Sequence, residues 1–366
     1  MKAKFIVPLL AAGLIVCGLS AASFVQPDTE FSANENRYLQ QAPTLTAKTL
    51  LSGGYTADAE DYLSDQIVLR DFWMGAGSVL QRLCGARDIN DVYIGRDGYY
   101  FAKVTQDDFD TENYTDNLTY IAQLFEANAD KNCRILLSPS PGTVLADKLP
   151  ACAGLYDSDA CYDALVSMMP QGTVIDARQA LSQTEDPYYH TAHHWTTMGA
   201  YAAYTVWCEE NGFDVCEYEL RQVSDSFRGT MYSKVLLPGS VYDDIYIAPD
   251  ITIESMDCDG TVYDSLYDES KLQQKDQYEI FMGGNWSKVV IDTGTDTGRS
   301  LLVIKDSFAN SFLPFVTEYY DTITVLDLRY CRENVSELAA GCTDILVLYE
   351  LSNFASDTNI FRAAIT

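Results

Sequence analysis

The order of apolar and polar residues divides the chain into helical and strand-like segments. Apolar residues recur at helical spacing in four segments, which cover residues 57–83, 110–130, 159–169 and 198–211. Short continuous apolar runs predict buried strands at residues 134–137, 173–176, 301–305, 323–327 and 345–349. Because buried strands that alternate with helices are typical of parallel sheets, this pattern predicts an α/β fold with a mainly parallel sheet.

Two regions depart from that alternation. The aromatic runs at 92–94 and 99–101 flank Asp97-Gly98, and this arrangement predicts a β-hairpin. Residues 217–300 are rich in Tyr, Asp and turn residues. We expect a partly antiparallel, β-rich insertion near residues 235–300.

The first residues have the pattern of an export signal. Lys2 and Lys4 precede an apolar run from Phe5 to Leu19, and the small residues at 20–22 offer a cleavage site. The apolar run reaches Val25 if its serines are tolerated, so an uncleaved membrane anchor remains the alternative. Both alternatives place the bulk of the protein outside the cytoplasm, secreted or anchored.

The chain therefore divides into three predicted parts. Residues 1–25 form a signal peptide or an N-terminal membrane anchor. Residues 26–90 form an N-terminal arm and a helix packed on the main domain. Residues 91–366 form that main domain, and the β-rich insertion lies within it.

Charge and cysteine content narrow the function classes. The formal net charge of −29 over 366 residues argues against nucleic acid and anionic membrane surfaces as partners. No CxxC motif occurs, which argues against a zinc ribbon or a thioredoxin site. The pairs Cys152/Cys161, Cys208/Cys216 and Cys331/Cys342 could close short loops, and buried unpaired cysteines are the alternative.

All three histidines lie in one stretch, at His190, His193 and His194. Such a stretch suits a metal site or the base of a nucleophilic site. A metal site would need the three rings to converge, but adjacent histidines tend to point apart and no acid lies between them. We therefore favour a single general base and expect no metal, with packing or surface roles as the alternative.

Ser307 directly follows the clearest buried strand, 301–305. Ligands of open parallel sheets bind outside the carboxyl ends of the strands, and a following helix would direct backbone N–H groups to the same place. A serine nucleophile with an oxyanion hole requires this arrangement. The alternative is that Ser307 only caps the helix.

Several segments carry a resemblance to a known family. They are residues 188–204 (YYHTAHHWTTMGAYAAY), 305–315 (KDSFANSFLPF), 227–234 (FRGTMYSK), 35–39, 62–70, 92–101 and 278–285. The chain resembles the DHHW family of exported bacterial proteins, which is similar to the SGNH-hydrolase-like domains of alginate O-acetylation proteins. The resemblance implies a three-layer α/β/α sandwich of flavodoxin-like type. It also implies a serine site that acts on acyl esters of polysaccharide without a cofactor.

The resemblance assigns roles to individual residues. His194 takes the position of the general base, and Ser307 takes that of the nucleophile. Asn285, in Gly283-Gly284-Asn285, matches a donor to the oxyanion. Substrate contacts are expected from three neighbours of the base, Tyr189, His193 and Trp195.

The chain departs from the family at Ala192, where the family has an aspartate. In a Ser–His–Asp triad the acid fixes the tautomer of the imidazole and stabilises its cation, and its loss costs about 10⁴-fold in turnover. Asp176, Asp186 and Asp306 are the candidate replacements.

Two hypotheses follow. The first is an extracytoplasmic serine esterase or O-acetyltransferase of cell-surface polysaccharide, whose acyl group could come from a membrane donor protein. The second is an inactive relative that binds glycan, or an accessory protein in cell-envelope polysaccharide modification. Ala192 favours the second hypothesis, and the presence of His194, Trp195 and Ser307 favours the first.

Overall fold

The computed structural model describes residues 3–32, 34 and 37–364. Lys2 of the predicted export signal, and Glu35 and Asn36 of one matched segment, lie outside the described residues. The chain forms two compact units. One unit comprises residues up to Ala86 together with Ser233–Gly239, and the other comprises Arg87–Tyr232 together with the residues from Ser240 onward.

The helices and strands are numbered here in chain order. The α-helices are α1 (Ala3–Val25), α2 (Ala47–Leu51), α3 (Gly54–Asp65), α4 (Arg70–Leu83), α5 (Thr111–Ala127), α6 (Pro141–Val144), α7 (Ser158–Met168), α8 (Arg178–Gln183), α9 (Thr197–Asn211), α10 (Thr230–Val235), α11 (Ala309–Phe312), α12 (Val335–Ala340) and α13 (Leu351–Ser356). Short 3₁₀ helices lie at Ala146–Lys148, Glu269–Gln273, Gln277–Ile280, Leu313–Tyr319 and Ile360–Ala364. The strands are β1 (Phe31–Ser32), β2 (Arg37–Tyr38), β3 (Asp88–Ile89), β4 (Val92–Ile94), β5 (Tyr100–Ala102), β6 (Asn132–Ser138), β7 (Val174–Ile175), β8 (Arg221–Phe227), β9 (Asp243–Ile247), β10 (Ser255–Cys258), β11 (Thr261–Tyr263), β12 (Lys288–Asp292), β13 (Ser300–Lys305), β14 (Thr322–Leu326) and β15 (Asp344–Glu350).

In the first unit, the prediction of a single helix over residues 57–83 is wrong. This region forms two helices, α3 and α4. The chain turns between them because Leu69 adopts a left-handed conformation, with φ of 60°. The buried carboxylate of Asp65 closes the end of α3 by accepting from Arg37 at 2.8 and 2.5 Å. Neither proline nor glycine lies between the two helices, so the sequence carries no signal for this break.

Helix α1 covers the apolar run of the predicted export signal. Within the described residues, no helix has the length and apolar character needed to cross a membrane.

The second unit is built on one eight-stranded sheet with the strand order β11-β10-β12-β14-β13-β15-β6-β7. Strands β14, β13, β15, β6 and β7 are parallel, as the buried apolar runs predict. Strands β12, β10 and β11 continue the same sheet in antiparallel pairing. The β-rich region near 235–300 therefore supplies one edge of the main sheet.

Both faces of this sheet are covered, because alternate residues of each central strand enter different cores. In β13, Leu301 and Val303 pack in the core that contains α9, whereas Leu302 and Ile304 pack in the core that contains α5. This alternation forms three layers, helices on either side of a sheet. The predicted α/β/α sandwich is confirmed.

The predicted hairpin forms from β4 and β5, which pair as antiparallel strands. The ten cysteines are all free thiols, so the three candidate pairs do not close loops in this structure. Five of them are buried. The alternative of buried unpaired cysteines therefore describes these five, which pack as small apolar residues, and not the exposed thiols such as Cys84 and Cys152.

Candidate active site

Ser307 lies just beyond the carboxyl end of β13, which is flanked on both sides by the parallel strands β14 and β15. The turn that carries it is held by the fully buried carboxylate of Asp306. That carboxylate accepts from the backbone N–H groups of Phe308 (2.9 Å) and Glu350 (3.0 Å), and from the side chain of Asn353 (2.8 Å). Burial raises the pKa of Asp306 to about 6. Asp306 therefore ties the serine turn to the end of β15.

His194 lies on a tight reverse turn between β7 and α9, where Tyr188 and Trp195 form an antiparallel bridge. This turn brings its Nε2 atom to 2.8 Å from Oγ of Ser307. The two residues are 113 positions apart in the sequence. The hydroxyl of Ser307 thus faces the imidazole, and it does not cap helix α11.

Trp195 fixes this turn against the serine segment. Its indole Nε1–H donates to the carbonyl of Phe308 at 2.9 Å and to Oγ of Ser311 at 3.0 Å. The side chain is completely buried. Thr196 then begins α9, because its hydroxyl accepts from the backbone N–H of Gly199 at 3.1 Å.

The environment of His194 favours the neutral imidazole. Burial lowers its pKa well below the ordinary value, and electrostatic interactions with His193, Lys305 and Arg329 lower it further. A neutral ring can accept the hydroxyl proton of Ser307 at Nε2. Geometry and charge state are therefore compatible with a base acting on this serine.

At the position of the family aspartate, Ala192 is buried in close contact with its neighbours. Ala192 is only 1% exposed. It lies so close to Gly229 that a Cβ atom on that glycine would overlap the Cβ of Ala192. Across residues 3–32, 34 and 37–364, no carboxylate hydrogen-bonds to His194.

The three candidate replacements for the lost acid have other partners. Asp176 binds the guanidinium of Arg178 at 2.7 Å, and Asp186 accepts from the hydroxyl of Tyr99 at 2.9 Å. Asp306 holds the serine turn. None of the three supplies the missing contact to the imidazole.

The other two histidines have separate partners. His190 Nδ1 lies 3.0 Å from the buried carboxylate of Asp243, which also accepts from the backbone N–H of Thr191 at 2.9 Å. His193 Nδ1 lies 2.7 Å from Oγ1 of Thr230. Asp243 was not identified from the sequence, because it lies 53 residues from His190, the histidine that it contacts.

Asn285 presents its amide in one orientation. Its Oδ1 atom accepts from Nζ of Lys305 at 3.4 Å and from Nδ2 of Asn310 at 3.3 Å. Because an ammonium group can only donate, the carbonyl of Asn285 must face Lys305, and its NH₂ group is left to donate elsewhere. Burial lowers the pKa of Lys305 to about 8.

Two of the expected substrate contacts are buried. Trp195 and Tyr189 are 0% and 1% exposed, so neither presents a face to solvent. His193 is partly exposed.

Sequence reasoning missed Tyr278. Its ring lies parallel to the imidazole of His194, with 3.8 Å between centroids and 7° between planes. The only signal for it was its place at the start of the matched segment 278–285.

Two family models match the chain. The model of the DHHW protein family matches residues 175–326. The model of the SGNH hydrolase-like domain of the acetyltransferase AlgX matches residues 92–210. No curated protein sequence matches the chain significantly.

Several solved structures are similar. A DHHW family protein from Eubacterium siraeum is 22% identical with a TM-score of 0.65, and the match covers 75% of this chain and 95% of that one. Bacillus cereus PatB1 with a sulfonyl adduct is 19% identical with a TM-score of 0.61, over 75% and 99% of the two chains. The O-acetyltransferase domain of Pseudomonas putida AlgJ is 12% identical with a TM-score of 0.47, over 73% and 92%.

At these identities the first two structures confirm the fold. The family resemblance rests on the sequence matches, which cover both the histidine segment and the serine turn. The predicted resemblance is thus confirmed: residues 175–326 match the DHHW family model, and residues 92–210 match the model of the SGNH-hydrolase-like domain.

Proposed function

We propose that this protein is an extracytoplasmic serine esterase or O-acetyltransferase that acts on acyl groups of polysaccharide. The observation that carries the proposal is the 2.8 Å contact between Nε2 of His194 and Oγ of Ser307. A neutral imidazole in hydrogen-bond contact with a serine hydroxyl is the arrangement that activates a serine nucleophile.

The reaction proceeds in two halves. Oγ of Ser307 attacks the acyl carbonyl carbon, and its proton moves to Nε2 of His194. The tetrahedral intermediate then collapses, the bond to the leaving alcohol breaks, and the imidazolium returns the proton to that alcohol. Water or a sugar hydroxyl attacks the acyl-serine in the same way, so that the acyl group leaves as a free acid or as a new ester.

The negative charge on the carbonyl oxygen needs hydrogen-bond donors. The backbone N–H of Ser307 has no acceptor within the described part of the chain and is one donor. The NH₂ group of Asn285 is the second, since Lys305 and Asn310 occupy only its carbonyl oxygen.

The acyl group and the acceptor are proposed from the resemblance. The AlgX model is that of an acetyltransferase, which supports acetyl as the group transferred. The similarity to alginate O-acetylation proteins supports polysaccharide as acceptor, and the N-terminal pattern supports a location outside the cytoplasm. A transferase there would receive its acetyl group from a membrane donor protein.

A second function is favoured by one observation, the alanine at position 192. Without a carboxylate on the imidazole, the chain would bind glycan without turnover, as an accessory protein. This alternative predicts glycan binding that is the same for the protein and for its Ser307→Ala variant, with no acyl-enzyme in either.

Hydrolysis of p-nitrophenyl acetate and covalent labelling by phenylmethanesulfonyl fluoride separate these functions. We expect burst-phase release of p-nitrophenol, and a mass increase of one sulfonyl group on Ser307 in intact-protein mass spectrometry. Ser307→Ala should abolish both signals, and His194→Ala should slow both. The mutation Ser311→Ala, which removes a neighbouring hydroxyl, is the matched control and should still be labelled. Equal background rates for the protein and Ser307→Ala, without labelling, would exclude a serine enzyme.

A further inference from the structure

Tyr278 contacts both members of the serine–histidine pair. Its ring stacks on His194, and its hydroxyl lies 3.0 Å from the carbonyl of Ser307 and 3.1 Å from Oγ of Ser311. The residue is 4% exposed and lies in the short helix Gln277–Ile280. One buried side chain therefore contacts both the face of the imidazole and the serine turn.

The charges near His194 do not favour its protonated form. His193 on the same turn, Lys305 at the end of β13 and Arg329 beyond β14 all oppose a positive charge on the ring. Arg329 is itself paired with the buried carboxylate of Asp327, at 2.6 Å. The proton that His194 accepts must be stabilised by some other group.

The face of an aromatic ring is such a group. Its quadrupole places negative charge on the face, and a cation within about 6 Å of the centroid is attracted, more strongly in a desolvated site. The imidazole lies 3.8 Å from the centroid of Tyr278 and is nearly parallel to it. An imidazolium formed there stays in contact with the tyrosine face without moving.

We propose that Tyr278 is a positioning residue that takes over part of the role of the missing aspartate, by holding the imidazole of His194 against Ser307 and stabilising its cation through the ring face. This inference rests on the proposed function for its catalytic meaning. The stabilisation of the His194 cation by Tyr278 can be measured whether or not the protein turns over a substrate.

Three variants separate this role from simple packing. Tyr278→Phe keeps the ring face and removes the hydroxyl. Tyr278→Leu removes the ring face and keeps a buried apolar side chain. Phe281→Leu is the matched control, since Phe281 belongs to the same apolar cluster, 5.2 Å from the ring of Tyr278.

Nuclear magnetic resonance titration of the three histidines measures the effect directly. Tyr278→Leu should lower the pKa of His194 by about 1.5 units, which corresponds to about 30-fold less stabilisation of the cation. Tyr278→Phe and Phe281→Leu should leave it unchanged. An unchanged or raised pKa in Tyr278→Leu, with all variants folded by circular dichroism, would overturn the proposal.

The rate of labelling by phenylmethanesulfonyl fluoride gives the functional readout. Tyr278→Leu should slow labelling by about 30-fold, and Tyr278→Phe should stay within about threefold of the original protein. Equal rates for Tyr278→Leu and Phe281→Leu would refute the positioning role. If Ser307 is never labelled, the proposed function fails, and the titration still decides what Tyr278 does to His194.

Discussion

Replacing Ala192 with aspartate returns the carboxylate that the family carries two residues before the base. Ala192 is 1% exposed, borders Gly229 and packs in an apolar cluster, so the new carboxylate must displace neighbouring atoms to find room. Overpacking of this kind costs about 1–3 kcal/mol of stability. The variant should therefore melt at a lower temperature and still fold.

The expected gain in rate follows from two magnitudes. Loss of the effect of the acid on a triad histidine costs about 10⁴-fold in turnover. If stacking on Tyr278 already supplies about 30-fold of this 10⁴-fold effect, about 300-fold remains for the carboxylate. Ala192→Asp should then raise kcat by about 300-fold. The gain should appear in kcat rather than in KM, since the carboxylate acts on the histidine cation formed in the transition state.

The assay is hydrolysis of p-nitrophenyl acetate, and Ala192→Asn is the matched control. Asparagine has nearly the same shape, but it carries no charge to stabilise the imidazolium. We expect it to give no gain. If Ala192→Asp and Ala192→Asn are both folded and equally slow, the idea that the site lacks only its acid is refuted.

Three further predictions concern the support of the site. Trp195→Phe removes the donor to the Phe308 carbonyl; we expect a loss of about 1–3 kcal/mol in urea unfolding and slower labelling of Ser307. Gly229→Ala should destabilise the protein by about 1–3 kcal/mol in the same assay, because its Cβ overlaps Ala192. Lys305 has a folded pKa of about 8, below its unfolded value, so its destabilising charge is present below pH 8 and is relieved above it. The free energy of unfolding of the original protein, relative to Lys305→Met, should thus rise by about 1.4 kcal/mol per pH unit between pH 8 and about 10. A difference that is flat with pH would contradict this.

The strands of the parallel sheet could be predicted because each is buried on both faces. A run such as 301–305 must then be apolar at every position, and that pattern is visible in the sequence. The order of the strands could not be predicted. Strand β6 pairs with β15, more than 200 residues away, through contacts that local patterns do not encode.

The candidate site, too, could be predicted only in part. Ser307 could be placed at a strand end and His194 in a histidine-rich stretch, but only the family resemblance joined them. Tyr278 could not be assigned, because a buried tyrosine has the same local pattern whether it packs in a core or stacks on a base. The break at Leu69 could not be predicted either, since a leucine rarely adopts the left-handed backbone found there.

The polar side chains of Lys305, Asn310 and Asn285 help to distinguish a catalytic site from a site that only packs. Lowering the pKa of Lys305 from its ordinary 10.5 to about 8 corresponds to about 3 kcal/mol against the charged form. An apolar residue at this position would avoid that cost, yet the ammonium group is placed where it holds Asn310 at 2.8 Å and fixes the amide of Asn285. The ammonium group also lies 4.0 Å from the buried carboxylate of Asp327, so it offsets a buried negative charge as well as orienting the amide of the proposed oxyanion donor. The orientation of Asn285 therefore agrees with the proposed serine enzyme, for which Ala192→Asp is expected to raise the rate.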